Sequence, residues 1–345
     1  MIDETYMRRC FQLAKLAAGN VAPNPMVGAV LVYNDRIIGE GYHQQYGKAH
    51  AEVNCIDSVK EADKQFISVA TIYVSLEPCA HYGKTPPCAD LIIQSNIPQV
   101  VIGCRDSYKE VAGKGIEKLQ NAGVSVSTGV LEQEAIELNK QFFTFHEKQR
   151  PYIILKWAQT GDGKIGNGDG ERLMISNDYT NRLVHKWRSE VASILVGTNT
   201  ALKDNPALTT RLWKGNNPVR LVIDKLLQLP TTLSILDGTV KTIVFNSIRQ
   251  VEEGNIQYYK LSNSEDFIPE MMQALFKLNI QTVLVEGGAT LLQHFIDSGV
   301  WDEARIITNQ QLHNISGIAA PKLSGQMKTF SETFFSDTIG YFKKA

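Results

Sequence analysis

The sequence predicts two successive α/β domains. The chain has 345 residues, which is more than one hydrophobic core usually organises. Stretches of strand composition alternate with helical stretches in both halves, as in sheets that are covered by helices. The short charged segment 146–150 separates the two halves. We therefore expect one domain over residues 1–146 and a second over residues 147–345.

The composition indicates a globular protein that acts on a small or locally charged substrate. The chain is 43% hydrophobic, and 35 basic against 36 acidic residues give a net charge of −1. A duplex-binding domain is usually basic, so we expect no nucleic-acid partner. We expect no membrane partner either, because no apolar run is long enough to cross a bilayer and the first residues lack the pattern of a signal peptide. Five Cys without a dense disulfide pattern favour the reducing cytoplasm.

In the first half, apolar periodicity and turn residues predict alternating helices and strands. Helices are expected over 5–18, 50–59, 87–95, 115–122 and 131–146, and strands over 27–33, 37–42, 70–76, 99–104 and 124–128. The first helix ends at Gly19-Asn20, and Pro23 and Pro25 stiffen the loop that follows it.

The second half continues this alternation. Strands are expected over 152–159, 191–196, 218–223, 240–245 and 280–285, and helices over 176–188, 265–278 and 289–297. The segment 161–166 matches the glycine spacing of the dinucleotide-binding fingerprint, but the glycine-rich residues 167–170 cannot propagate the helix that this fingerprint must open. We interpret it as a loop. The glycines at 287 and 288 lie between a strand and a helix, which is a general phosphate-binding arrangement.

Four residues of the first half have the chemistry of a catalytic zinc site. His50 and Glu52 lie at the start of one predicted helix, Cys79 follows a strand, and Cys88 opens another helix. Helix N-termini favour the thiolate form of Cys that zinc requires. Glu52 is rotated by roughly 200° from His50 around a helix, so it need not bind the metal. One imidazole and two thiolates would leave a fourth position for water.

Each of these residues alone has a more ordinary interpretation, because a single His at a helix start or a single buried Cys is usually structural. The combination H-x-E, then P-C, then a second Cys is much more specific. It is the signature of zinc nucleobase deaminases, in which the Glu moves protons. Many of these enzymes space the two Cys as C-x-x-C, whereas here the eight residues Ala80 to Pro87 separate them.

The long Cys loop carries a resemblance to a known family. The segments 23–28, 39–43, 50–52 and 78–88 resemble the deaminase domain of the bifunctional riboflavin-biosynthesis deaminase–reductases. The resemblance implies that His50, Cys79 and Cys88 bind one zinc ion and that Glu52 is the catalytic proton shuttle. It implies substrate contacts at Asn24, His43, His81, Lys84 and Asp106. The family commonly has Asp-Pro-Asn-Pro after the strand that ends at Cys104, whereas here the Asn position is Tyr108.

The second half resembles the reductase domain of the same family. The matching segments are 156–158, 161–163, 175–176, 196–197, Thr200, 204–211 and 285–288. The resemblance implies NADPH contacts at Ala158, Met174, Thr200, Asp204, Gly288, Ala289 and Thr290, and substrate contacts at Lys156, Arg172, Arg188, Leu208, Arg211 and Glu286. Arg188 and Arg211 suit a sugar phosphate, although surface ion pairing is the more ordinary role of an Arg. Where the family often has Ser-x-Trp, this chain has Arg172-Leu173-Met174.

These resemblances together imply a cytidine-deaminase-like three-layer α/β/α domain followed by a dihydrofolate-reductase-like α/β domain. The expected substrate is 2,5-diamino-6-ribosylamino-4(3H)-pyrimidinone 5′-phosphate, which is first deaminated with zinc and then reduced with NADPH. A homodimer through the reductase domain is expected. One alternative is a single-activity cytidine or tRNA-type deaminase with a C-terminal binding module. Another is a zinc-stabilised interaction protein, in which four protein ligands would close the metal site.

Overall fold

The computed structural model describes residues 2–82, 86–107, 112–167, 173–262 and 267–344. The chain forms two compact units, Met1–Gln149 and Arg150–Ala345. This division lies within a few residues of the predicted domain boundary. None of the helices in the described ranges is long and apolar enough to span a membrane.

The first unit contains a mixed five-stranded sheet. Its strands are β1 Gly28–Tyr33, β2 Arg36–Tyr42, β3 Thr71–Leu76, β4 Gln99–Cys104 and β5 Ser125–Thr128. Its helices are α1 Glu4–Lys15, α2 Ala51–Asp57, α3 Cys88–Gln94, α4 Lys114–Asn121, α5 Glu132–Leu138 and α6 Lys140–Lys148, with a 3-10 helix over Glu61–Val69. The strand order is β2-β1-β3-β4-β5. Strand β1 is antiparallel to β2 and β3, whereas β3, β4 and β5 are parallel.

Both faces of this sheet are covered by helices. On one face, Cys55 of α2, Ile92 of α3 and Leu119 of α4 belong to one buried apolar cluster. On the other face, Phe11 of α1 and Phe143 of α6 belong to a second cluster. Strand β3 is apolar and buried almost throughout, as expected of a strand that is covered on both sides. The predicted three-layer α/β/α architecture is confirmed.

The single helix predicted over 131–146 is wrong. Helix α5 ends at Leu138 and α6 begins at Lys140, while Asn139 between them has φ −113° and ψ 25°. The side chain of Asn139 forms hydrogen bonds with the backbone of Met26. This contact is distant in sequence and is compatible with a break in the helix, which local periodicity does not reveal.

The second unit is built on a ten-stranded sheet. Its strands are β6 Tyr152–Thr160, β7 Lys164–Gly166, β8 Ser193–Gly197, β9 Val219–Ile223, β10 Thr242–Asn246, β11 Val251–Glu253, β12 Ile256–Lys260, β13 Thr282–Val285, β14 Glu303–Asn309, β15 Ile318–Ala319, β16 Gln326–Phe334 and β17 Asp337–Lys344. Its helices are α7 Asp178–Glu190, α8 Thr198–Asp204, α9 Ile268–Lys277 and α10 Ala289–Asp297, with a 3-10 helix over Ser234–Leu236. Strands β7 and β15 form a separate two-stranded sheet.

The order of the large sheet is β11-β12-β10-β9-β8-β13-β6-β14-β17-β16. The seven strands from β12 to β14 in this order are parallel, and β11, β17 and β16 join antiparallel at the two ends. Helices α9 and α10 pack on one face, and α7 and α8 pack on the other. This arrangement confirms the predicted α/β reductase-type unit and brings the carboxyl ends of several parallel strands to one edge.

Several elements of the second unit were not predicted. They include β7, β11, β12 and every strand after α10, which consist mainly of short or exposed segments without a clear apolar alternation. Helix α9 begins at Ile268, and residues 265–266 of the predicted helix lie outside the described ranges. The segment 161–166 does not open a helix, as expected, but the prediction of a loop is wrong for Lys164–Gly166, which form β7.

Candidate active sites

Three elements of the first unit bring His50, Cys79 and Cys88 together. His50 is the extended residue before α2, Cys79 follows the end of β3, and Cys88 is the first residue of α3. Their ligand atoms lie within 4.8 Å of one another. The Nδ1 atom of His50 is 3.6 Å from Sγ of Cys79 and 3.3 Å from Sγ of Cys88. This is a compact cluster of one imidazole and two sulfur atoms.

The cluster fits a tetrahedral zinc ion. Bond lengths of about 2.3 Å to sulfur and about 2.0 Å to nitrogen place neighbouring ligand atoms about 3.5 Å apart. The backbone N–H of Cys88 donates to Sγ of Cys79 at 3.3 Å. In the described part of the chain the cluster has three members rather than four, which is the ligand number of a catalytic zinc site.

Glu52 lies beside this cluster without belonging to it. It is in the first turn of α2 and is 3% exposed. Burial raises the pKa of Glu52 above its usual value, and the charge of Cys79 adds to the effect. A hydrogen bond between Glu52 and Cys88 acts in the opposite direction. Glu52 therefore has the burial and the raised proton affinity of a group that exchanges protons.

Asn24 and His43 form a polar pair next to His50. The ring Nε2 of His43 is 3.2 Å from Nδ2 of Asn24, and its Nδ1 is 3.0 Å from the carbonyl oxygen of Ala49. This pattern is satisfied when Nδ1 donates to Ala49 and Nε2 accepts from Asn24. Burial lowers the pKa of His43, which favours the neutral ring that this pattern requires. The rings of His43 and His50 are 5.3 Å apart.

The second unit contains a cavity of about 710 Å³ at the carboxyl ends of its parallel strands. All of the predicted cofactor residues line it, namely Ala158, Met174, Thr200, Asp204, Gly288, Ala289 and Thr290. Lys156 and Glu286, which were predicted at the substrate, line it as well. A cavity of this size in this position is typical of a nucleotide-type cofactor site.

Glycines allow the backbone to come close at one wall of this cavity. A Cβ atom on Gly287 would lie 2.9 Å from the backbone nitrogen of Gly197, so a side chain there would clash with the neighbouring strand end. The N–H of Gly288 donates to Oγ1 of Thr200 at 2.8 Å, and helix α10 begins at the next residue. The backbone thus forms a cradle at a helix N-terminus, which fits the phosphates of a dinucleotide.

Lys156 and Glu286, which line the cavity, belong to a buried charge cluster with Arg188. The carboxylate of Glu286 accepts from Nε of Arg188 at 3.0 Å and from Nη2 at 2.8 Å, and Nζ of Lys156 lies 3.6 Å from it. Burial raises the pKa of Glu286, but the charges of Arg188 and Lys156 outweigh it and hold that pKa at about 2. Burial also lowers the pKa of Lys156. The cluster therefore places an ionised carboxylate between two cations.

Comparison with known proteins agrees with both sites. The family model for the zinc-binding region of cytidine and deoxycytidylate deaminases matches residues 1–104, and the model for the RibD C-terminal domain matches residues 151–310. The chain is 40% identical over 332 residues to riboflavin biosynthesis protein RibD of Aquifex aeolicus, covering 94% of this chain and 88% of the relative. The chain belongs to the RibD family.

Solved RibD structures have the same fold. The Thermotoga maritima diaminohydroxyphosphoribosylaminopyrimidine deaminase/5-amino-6-(5-phosphoribosylamino)uracil reductase superposes with a TM-score of 0.89 at 36% identity, covering 99% of this chain and 98% of that one. Acinetobacter baumannii RibD gives a TM-score of 0.90 at 31% identity, with the same two coverages.

RibD membership confirms the predicted riboflavin-biosynthesis deaminase and reductase activities, the zinc-binding deaminase site and the NAD(P)H-dependent second domain. The alternative of a deaminase with a binding module is wrong because the second half is a RibD reductase domain. The alternative of an interaction protein is wrong as well.

The other predicted substrate residues differ in exposure and in their contacts. His81 is exposed, and the backbone N–H of Asp106 donates to Oε2 of Glu77 at 3.3 Å. Leu208 is 2% exposed within the apolar core, whereas Arg211 is exposed. The described lining of the cavity does not include Arg188, Leu208 or Arg211. Lys84 and Arg172 lie outside the described residues. All of these substrate roles stay predictions.

Sequence reasoning missed several side chains around the two sites. The cavity is also lined by Ile165, Asn167, Asn181, Gln228, Phe267 and Ile318. In the first unit, Glu77 and Asn139 are both buried and bind the backbone of loops that carry predicted substrate residues. The only sequence signal for Glu77 was its position between a strand and Pro78-Cys79, and no local pattern identified Asn139.

Proposed function

We propose that residues 1–146 deaminate 2,5-diamino-6-ribosylamino-4(3H)-pyrimidinone 5′-phosphate and that residues 147–345 reduce the ribosyl group of the product to a ribityl chain. The observation that supports this proposal most directly is the position of Glu52, buried beside the His50, Cys79 and Cys88 cluster but outside it. Such a carboxyl is free to move protons instead of binding the metal.

In the deaminase site, zinc would be held by His50, Cys79 and Cys88 and would supply an activated water. Glu52 takes up a proton and returns it to the departing amine, which suits a carboxyl with a raised pKa. Asn24 and His43 orient the edge of the pyrimidine through the amide and the ring nitrogen that already contact each other. His81, Lys84 and Asp106 bind the ribose phosphate, with Lys84 supplying the cation.

In the reductase site, NADPH would supply the hydride. The start of helix α10 at Gly288, Ala289 and Thr290 receives the cofactor phosphates. Thr200 fixes this helix start by accepting the N–H of Gly288 at 2.8 Å. The remaining predicted cofactor contacts, Ala158, Met174 and Asp204, line the same cavity. Lys156, Arg188 and Glu286 orient the ribosyl phosphate together with Arg172, Leu208 and Arg211.

We further propose a cytoplasmic homodimer that is joined through the reductase domain and has no nucleic-acid or membrane partner. Two observations support this. None of the five Cys, all of which lie in the described ranges, forms a disulfide, which is usual in a reducing compartment. Strand β16 lies at the edge of the large sheet and exposes Met327 and Phe330, so that it offers an apolar strand edge to a second copy.

Product analysis with the zinc-loaded protein tests the proposed function. The diaminopyrimidine phosphate is incubated with and without NADPH, and ammonia, NADPH oxidation and the product side chain are measured. We expect ammonia release without NADPH, and NADPH oxidation with a ribityl product only after deamination. Glu52→Gln should abolish ammonia release while the protein still oxidises NADPH with the deaminated substrate. The exposed Glu61→Gln variant is the matched control. Ammonia release by Glu52→Gln at the wild-type rate would refute the role of Glu52.

A further inference from the structure

We propose that Glu77 is a positioning residue of the deaminase. Its buried carboxylate holds the segment of Asp106 and the start of helix α4 against the strand end that leads to the zinc ligand Cys79. The substrate consequence rests on the proposed function, because Asp106 is assigned there to the substrate.

Among the described residues, the carboxylate of Glu77 accepts hydrogen bonds from four backbone N–H groups in two segments of the chain. Glu77 directly follows β3 and is 4% exposed. Its Oε2 accepts from the backbone N–H groups of Asp106 at 3.3 Å and Gly113 at 3.0 Å. Its Oε1 accepts from those of Gly115 at 3.0 Å and Ile116 at 3.3 Å. A buried carboxylate requires such donors, and four of them occupy about all the positions that its two oxygens offer.

The strand register explains why Asp106 is within reach. Strands β3 and β4 are parallel neighbours, and Leu76 pairs with Cys104. The segments that follow, Glu77-Pro78-Cys79 and Arg105-Asp106, therefore leave the same edge of the sheet side by side. The backbone N–H of Glu77 also donates to the carbonyl oxygen of Cys104 at 3.0 Å. Glu77 thus joins the two strand ends through its backbone and through its side chain.

Gly115 brings the start of α4 to the same place. A Cβ atom on Gly115 would lie 1.9 Å from the carbonyl oxygen of Pro78 and 3.3 Å from Cγ of Glu77. The first turn of α4 therefore packs directly on the peptide that precedes Cys79. The zinc ligand, the Asp106 segment and the helix start become one unit, with Glu77 at its centre.

Replacing Glu77 with Gln keeps the size of the side chain but turns one acceptor into an NH₂ donor. That group faces backbone N–H donors, so two of the four hydrogen bonds are lost. The Asp106 segment is then held less well, whereas His50, Cys79 and Cys88 keep their mutual contacts. The substrate should therefore bind more weakly to a deaminase that still holds zinc.

The first test compares full-length, zinc-loaded wild type, Glu77→Gln and the exposed helix variant Glu117→Gln. For Glu77→Gln we expect a KM for ammonia release raised by about 10- to 100-fold, as for a misplaced binding group, while kcat changes by no more than about threefold. Zinc content by mass spectrometry and NADPH oxidation with the deaminated substrate should equal wild type. Loss of zinc, an unchanged KM, or an equal effect of Glu117→Gln would overturn the proposal.

A double-mutant cycle with Asp106→Ala tests the route of the effect. If Glu77 acts through Asp106, Glu77→Gln should add little to the KM of Asp106→Ala. Two effects that simply multiply would overturn this route.

We call the hydrogen bonds from the segment of Asp106 and the start of α4 to Glu77 the clamp. Hydrogen exchange tests it without any substrate. Peptides covering residues 112–121 should exchange faster in Glu77→Gln than in wild type, and exchange in 28–42 should be unchanged. Unchanged exchange in 112–121 would overturn the clamp. If Glu77→Gln does not fold, Glu77→Asp takes its place, since it keeps the charge but shortens the reach. Failure of wild type to release ammonia would refute the proposed function and leave this exchange result to decide the clamp.

Discussion

The side-chain amide of Asn139 pairs with the backbone of Met26 in the way that a neighbouring β-strand would. Its Oδ1 accepts from the N–H of Met26 at 2.8 Å, and its Nδ2 donates to the carbonyl oxygen at 2.9 Å. Asn139 is 3% exposed and lies between helices α5 and α6. Met26 is two residues from Asn24, which contacts His43 beside the metal cluster. The helix break thus holds the loop that presents Asn24.

We expect Asn139→Ala to lower the stability of the deaminase domain and also to weaken its binding of substrate. The N–H of Met26 would lose its partner in a partly buried environment, which costs about 1 kcal/mol in the free energy of unfolding. The KM for ammonia release should rise, because Asn24 is held less firmly, and NADPH oxidation with the deaminated substrate should not change. Urea unfolding followed by circular dichroism and steady-state kinetics measure both effects, with the exposed Asn121→Ala as control. An unchanged KM would contradict this role.

Removal of zinc should separate the two activities. Dialysis against a chelator takes the metal from His50, Cys79 and Cys88, so ammonia release should be lost. NADPH oxidation with the deaminated substrate should continue, because the residues that line the second cavity belong to the other unit. Added zinc should restore ammonia release. Loss of both activities on dialysis, with recovery of both by zinc, would show that the reductase also needs the metal.

The Glu286→Gln variant should destabilise the second unit. It leaves Arg188 and Lys156 buried without a counter-charge, and breaking a buried ion pair in this way costs about 3–5 kcal/mol. All four tryptophans, at positions 157, 187, 213 and 301, belong to this unit, so tryptophan fluorescence in urea follows its unfolding. The exposed Glu252→Gln variant should behave like wild type. A midpoint for Glu286→Gln equal to that of wild type would show that the cluster does not stabilise the fold.

His185 should make the stability of the second unit depend on pH. Burial, with the charges of Arg188 and Arg211, lowers the pKa of His185 from 6.5 to about 4. Between these values the unfolded chain binds a proton that the folded chain does not, so stability falls as the pH falls from 6.5 towards 4.

The measurement for His185 is the urea midpoint from tryptophan fluorescence, taken above about pH 5, where the carboxylates are largely ionised. The wild-type midpoint should fall between pH 7 and that limit, and the midpoint of His185→Gln should fall less. Parallel pH curves for the two proteins would exclude His185 as the cause.

Much of both sites was predictable because their signals are local. His50 and Glu52 are separated by one residue, and each Cys follows a strand or opens a helix, so the motif itself carries the metal chemistry. The glycines at 287 and 288 similarly mark a strand end and a helix start. The predicted cofactor residues come from the loops at neighbouring strand ends, and parallel strands bring such loops to one edge.

Other features of the sites could not be predicted from local patterns. Leu208 matches a family substrate motif, but its side chain is in the apolar core. Strand β16 is mostly exposed, so its residues lack the apolar alternation that identifies a strand in a sequence. This strand forms because it pairs with β17. Arg188 had surface ion pairing as its ordinary interpretation, and only the fold shows it buried against Glu286, far away in sequence.

By itself, the sequence determined the two α/β domains, the zinc ligands with their separate Glu, and the reductase motifs. These depend on spacing within one element or on the order of elements along the chain. Only the tertiary structure decided which polar groups hold these motifs in place. Glu77 and Asn139 act through backbone groups of segments that are distant in sequence, and nearly every residue type carries the same N–H and C=O groups. Local sequence patterns do not reveal such contacts, because the packing of strands and helices decides which distant backbone groups come within reach.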